Sequence, residues 1–183
     1  MQGTSALILR CERSEPRRTH FIRAECKALV FKHSLSLPLL YFTYGSNMHV
    51  PQMARRAPKA RPVGIGRLDH HRIFFTSDGY AAVRDRRGAH VWGVVWRIAA
   101  RDVAVLDRYE GVDEGWYVKR VVPVRMATGT VSCLVYHGGD VREGLRPRRR
   151  YYHEAVVGSA LAWNLPARYT AGFGRFARHG FRG

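Results

Sequence analysis

Glu110 is an acid in a position that favours apolar residues. Ala99 to Gly111 reads Ala-Ala-Arg-Asp-Val-Ala-Val-Leu-Asp-Arg-Tyr-Glu-Gly, a helical pattern with Gly111 as its C′ stop. Val103, Leu106 and Glu110 fall at i, i+3 and i+7 and share one face. A carboxylate on the buried side of a helix is costly unless it is partnered or neutral. Glu110 also sits in the last turn, where the helix dipole opposes negative charge. Burial and dipole both push its pKa up, toward the range of a general acid/base near neutral pH. The competing reading is an ion pair at the surface with one of the many arginines.

A second segment supplies a place for an anion. Tyr44-Gly45-Ser46-Asn47 follows the aromatic and β-branched run Tyr41-Phe42-Thr43, so it reads as a tight turn at a strand end. Gly45 allows positive φ, and Ser46 and Asn47 can bond their own backbone. Successive N–H groups in such a turn form a nest for an anion. With no phosphate-loop lysine and no second glycine nearby, a carboxylate fits better than a nucleotide. Taken alone, the tetrapeptide equally fits an ordinary strand-ending turn.

Together with Val91-Trp92-Gly93-Val94-Val95-Trp96, Leu106-Asp107-Arg108-Tyr109-Glu110-Gly111-Val112 and Gly115-Trp116-Tyr117, this turn resembles the γ-glutamylcyclotransferases. The motifs occur in order from Tyr41 to about Phe176. The resemblance implies cleavage of a γ-glutamyl amide by closure of the glutamyl group to 5-oxoproline, releasing an amine without water, metal or cofactor. It places the catalytic glutamate on Glu110 and the substrate-cradling loop on Tyr44, Gly45, Ser46 and Asn47. It puts further pocket tyrosines on Tyr117 and Tyr136. It also implies a small-molecule γ-glutamyl substrate as the partner. The Asp-Pro helix start usual after the loop is replaced by Met48-His49-Val50-Pro51.

The chemistry suits these residues. The nucleophile is the substrate's own α-amine, and five-membered ring closure is intramolecular. Holding the chain folded supplies much of the advantage, since well-oriented intramolecular reactions gain about 7–11 kcal/mol. The protein must pin the α-carboxylate and move a proton from the ammonium to the leaving nitrogen. One carboxyl can do both in turn, and loop donors can steady the oxyanion.

Composition allows two other classes. A formal charge of +17 and a pI near 10.8 would attract polyanions such as nucleic acid. The arginines are scattered, however, except for the group Arg146, Arg148, Arg149 and Arg150, and nucleic acid is not the expected partner. A non-catalytic module holding a γ-glutamyl group or another carboxylate is the remaining alternative. The three cysteines (Cys11, Cys26 and Cys133) have no metal-site spacing, and their low usage fits a reducing cytoplasm. His70 and His71 are adjacent and would point to opposite faces of a strand, which is poor ligand geometry, so no metal is expected. Apolar runs are too short to span a membrane.

Residues 1–40 hold seven Lys/Arg and three Asp/Glu without periodicity, and read as a disordered extension or a misassigned start. Residues 41–183 read as one domain. Strands are expected at 41–44, within 64–76, at 81–84, at 90–98, and as a hairpin of 117–125 and 131–136 about Thr128-Gly129. A helix is expected after Pro51, one ending at Glu110, and one carrying Tyr152, Val156, Ser159 and Trp163 on one face. This order gives an α+β fold. The family resemblance sharpens it to a small mixed-strand barrel with helices packed outside.

Overall fold

The computed structural model describes residues 39–182. In chain order it has β1 (Leu39–Thr43), a 3₁₀ turn (Ser46–Met48), α1 (Val50–Arg56), β2 (Arg61–Thr76), β3 (Ala81–Ile98) and α2 (Ala100–Glu110). There follow β4 (Tyr117–Met126), β5 (Gly129–Gly138), the short β6 (Glu143–Gly144) and a π-wound helix (Tyr151–Gly158). That helix runs on into α3 (Ser159–Ala162), and α4 (Ala167–Ala171) and α5 (Gly174–Ala177) end the chain. Among the described residues no helix is long and apolar enough to cross a membrane.

The sheet runs β3-β1-β5-β4-β2, and β2 pairs back onto β3. It therefore closes as a five-stranded barrel, with β6 added at the end of β2. All pairings are antiparallel except β1 with β5, where Tyr41 aligns with Leu134. The α+β, mixed-barrel expectation holds. Phe42, Phe74, Val94, Val95 and Leu106 are fully buried. Gly93 is required where β3 crosses β1, because a Cβ there would collide with the Thr43 carbonyl and the Phe42 ring.

Three boundaries differ from the sequence expectation. β1 begins at Leu39, whose register partner is Ile98, two residues ahead of Tyr41. Residues 1–38, on which the extension reading falls, lie outside the described residues. The two strands expected at 81–84 and 90–98 are one strand of 18 residues. Arg86, Arg87 and Gly88 between them are exposed, and residues 86–89 have no register partner on β2, bulging opposite the single unpaired His70 where the β2–β3 pairing is interrupted. That pairing shifts register at His70, which adopts φ 59°. Such a bulge re-aims the next side chain, and His71 turns inward while His70 stays exposed. The alternation expected for 90–98 also gives way to continuous burial over Val94–Trp96, because Trp96 meets Trp163 on the far side of the strand.

The last long helix carries Tyr152, Val156 and Ser159 on its buried side as expected, with Trp163 half-buried beyond them. Its first eight residues are π-wound. That winding is rare and is frequently found at functional sites.

Candidate active site

One cavity of about 420 Å³ opens beside the end of β1, within the size range of small-molecule sites. Tyr44, Gly45, Ser46, Asn47, Glu110, Tyr117 and Tyr136 all line it. The structure thus brings together every residue singled out from the sequence. Four elements deliver them: the turn after β1, the last residue of α2, the first residue of β4, and the late part of β5.

α2 ends as its sequence requires. At its start the Ala99 N–H donates to Asp102 Oδ2 at 3.1 Å. At its end Gly111 adopts the left-handed conformation at φ 62°, ψ 48°, and Leu106 is fully buried. The helix therefore stops with Glu110 facing the cavity. Asn47 Nδ2 donates to Glu110 Oε1 at 2.8 Å and to Tyr41 Oη at 2.6 Å. Arg56, at the end of α1, donates through Nη1 to Asn47 Oδ1 and, at 3.0 Å, to Ser46 Oγ. Burial outweighs the lowering by the Arg56 charge and the Asn47 hydrogen bond and leaves the Glu110 pKa raised to about 7.

Gly45 does not use positive φ. Its backbone is at φ −124°, and the residue is needed for close approach instead. A Cβ there would lie 2.9 Å from the Tyr151 hydroxyl. The following turn spends the Met48 and His49 N–H groups on the Gly45 and Ser46 carbonyls, both at 3.0 Å. This leaves the N–H groups of residues 45–47 outside its own hydrogen bonding, as at any helix start.

The tyrosines fix the walls. Tyr44 Oη donates to the Tyr136 carbonyl at 2.6 Å, Tyr117 Oη to the Ala81 carbonyl at 2.8 Å, and Tyr136 Oη to Asp107 Oδ1 at 2.7 Å. Burial raises the pKa of Tyr41, Tyr44, Tyr117, Tyr136 and Tyr151, so all stay protonated. Tyr109 and Trp116, 58% and 56% exposed, stand at the mouth, and Arg56 lies over the Tyr109 ring at 4.5 Å.

Sequence reasoning missed Tyr41 as a wall residue, together with Arg56 and Tyr151. Arg56 is one of many arginines and carries no local signal. Tyr151 follows the arginine group and is brought to the loop by the π-wound helix. As metal ligands, the cavity residues offer one carboxylate and no imidazole or thiolate, a poor donor set. Cys133 is buried away from the cavity and its thiol is pushed up to about 12, so it is inert.

The geometry defines a small closed barrel with one buried carboxyl in an aromatic pocket. A family model described as "AIG2-like family" matches residues 90–173. Gamma-glutamylcyclotransferase of Bos taurus is 32% identical over 141 residues, covering 71% of this chain and 74% of the relative. The Homo sapiens protein of the same name is 34% identical over 143 residues with the same coverage. A solved structure titled gamma-glutamyl cyclotransferase superposes with a TM-score of 0.74 at 26% identity, covering 80% of this chain and 92% of the other. The chain belongs to the γ-glutamylcyclotransferase family.

Proposed function

We infer that this cavity converts a γ-glutamyl amide to 5-oxoproline and a free amine, with Glu110 as the general acid/base. The observation that supports this most is the Glu110 carboxyl, pushed up to about 7 and held by Asn47 of the loop that lines the same cavity. A carboxyl with a pKa near the working pH can both take and return a proton.

The steps balance without water. Ionised Glu110 takes a proton from the substrate α-ammonium. The freed amine attacks the γ-carbonyl carbon, forming the ring C–N bond and a tetrahedral oxyanion. Glu110 then gives its proton to the amide nitrogen, that C–N bond breaks, and the ring nitrogen passes its second surplus proton through the regenerated carboxylate to the departing amine, which leaves as an ammonium. Oε1 stays on Asn47 while Oε2 carries the proton. N–H groups of the 45–47 turn hold the α-carboxylate, with the Arg56 charge behind them. Asn47 spends both amide hydrogens on Tyr41 and Glu110, so its part is to orient the acid/base. The neutral tyrosine walls exclude water, which would otherwise hydrolyse the amide.

A second groove adjoins the cavity. That groove shares Gln52, Tyr80 and Tyr151 with the cavity and is lined by Arg55, Arg148, Arg149 and Arg150. A leaving amine that carries a carboxylate, as an amino acid does, fits this surface better than a simple amine.

Purified protein incubated with γ-glutamyl amino acids, glutathione and γ-glutamyl amines should form 5-oxoproline, fastest from those with an anionic leaving group. Glu110→Gln should lose at least about a thousandfold in kcat, within the range for positioned acid/base groups, while still binding substrate. Turnover retained in that variant overturns the assignment of Glu110.

A further inference from the structure

Outside the active site, three ligand atoms converge without a proton between them. His71 on β2 lies directly across from Asp85 on β3, and His137 comes from the end of β5. His71 and His137 are only 7% and 2% exposed. His71 Nδ1 is 2.7 Å from the Asp69 carbonyl, and His137 Nδ1 is 3.4 Å from the Val135 carbonyl. A carbonyl only accepts, so in each neutral ring the hydrogen belongs on Nδ1. Both Nε2 atoms then present lone pairs, and they face each other at 2.8 Å. Asp85 Oδ1, another acceptor, stands 3.1 Å from His71 Nε2. Three electron pairs meeting this closely need a cation among them.

The second shell is that of a metal site. Metal-bound imidazoles characteristically donate their other N–H to a carbonyl or carboxylate, which fixes the tautomer. Here both rings face a carbonyl two residues back in the chain. We propose that His71, His137 and Asp85 form a mononuclear site for a divalent transition-metal ion of the Zn²⁺ type, bound through the two Nε2 atoms and Oδ1. Around a tetrahedral ion with bonds of about 2.0–2.1 Å, the two nitrogens separate by about half an ångström more than they do now. The Asp85 side chain is 68% exposed, so the fourth position opens to water. The bulge at His70 is the device that aims His71 at this centre. One neighbour opposes the ion: Arg120 Nη1 holds Asp85 Oδ2 at 2.9 Å, leaving Oδ1 for the metal. An ion here would tie β2, β3 and β5 together.

The experiment uses the full, untagged chain, titrated with Zn²⁺ against a chromogenic chelator and separately with Co²⁺. Wild type should bind one equivalent, and Co²⁺ should give the visible bands of a four- or five-coordinate site. His137→Asn should weaken binding by on the order of a hundredfold and Asp85→Asn by about tenfold. Arg120→Ala should tighten it several-fold, and His179→Asn, at an exposed histidine outside the cluster, should leave it unchanged. Asp85 and Arg120 lie at the surface, so those two variants report even where His137→Asn fails to fold. Undiminished binding in both His137→Asn and Asp85→Asn overturns the proposal, because the ion then sits elsewhere. Absence of binding by wild type overturns it too, and leaves a shared proton as the cation.

Discussion

Tyr136 and His137 are neighbours on β5, yet they serve two separate polar sites. Alternate residues of a strand face opposite sides. Tyr136 bonds Asp107 beside the Glu110 cavity, and His137 faces His71 at 2.8 Å. Burial acts on both sites and moves their titrating groups in opposite directions. It pushes the Glu110 carboxyl up to about 7. It pushes the His137 imidazole down to about 4, with the nearby His71 adding to the effect. In each case the charged form is the one disfavoured. The carboxyl thereby becomes a proton carrier near neutral pH, whereas the imidazole becomes a neutral lone-pair donor. Low dielectric suits one residue type to the proposed acid/base role and the other to the proposed ligand role.

The comparison breaks first at Glu110. Beyond removing turnover, Glu110→Gln should change how stability depends on pH. Between the usual carboxylate value of 4.5 and the folded value of about 7, the unfolded chain has released a proton that the folded chain still holds. Wild-type stability therefore falls as pH rises through that window. The glutamine variant lacks this slope. Urea unfolding at pH 5 and pH 8 should show wild type losing on the order of 1–3 kcal/mol relative to the variant. Parallel behaviour of the two proteins would mean that Glu110 is not desolvated.

A smaller effect is expected at Gly45, where a methyl group would press on the Tyr151 hydroxyl. Gly45→Ala should cost about 10- to 100-fold in kcat/KM, since displacements of about 1 Å near a reacting centre reach that size. The double variant Gly45→Ala/Tyr151→Phe should recover part of the loss by freeing space. No recovery would show that the glycine serves something other than this approach.

The finest adjustment concerns Arg56. Its charge lowers the Glu110 pKa, so Arg56→Gln should move the rising limb of the kcat/KM–pH profile above pH 7, by about one unit. Arg56→Lys keeps the charge and should hold the limb near its wild-type position. A limb that shifts equally in both variants would assign the effect to the lost hydrogen bonds to Ser46 and Asn47.

Glu110 was legible because a local pattern exposes it: an acid at i+7 on an apolar face, just before a glycine. The loop at 44–47 was legible as a place, but the reason for Gly45 was not, since the Tyr151 hydroxyl that excludes a Cβ lies far along the chain. The break at residues 86–89 was legible from its exposed charges, but the continuity of β3 across it was not, because only pairing with β2 on both sides makes it one strand. His71 was read correctly as facing away from His70. Its partners on β3 and β5 are set by barrel closure, which no spacing encodes. Arg56 was hidden for a simpler reason: in a chain this basic, one more arginine is not a signal.

The single parallel pairing of β1 with β5 also bears on how the protein acquires activity. β1 and its loop come first in the domain, but Asn47 waits 63 residues for Glu110, and Tyr44 waits 92 for Tyr136. Asn47 meets Tyr41 and Arg56 locally, but the contacts that join the loop to Glu110 and Tyr136 are long-range. Loop-closure entropy is lost before these distant contacts return anything, and topologies of this kind fold slowly. Recovery of catalysis during refolding should therefore coincide with the last, barrel-closing phase, which makes turnover a readout of complete folding.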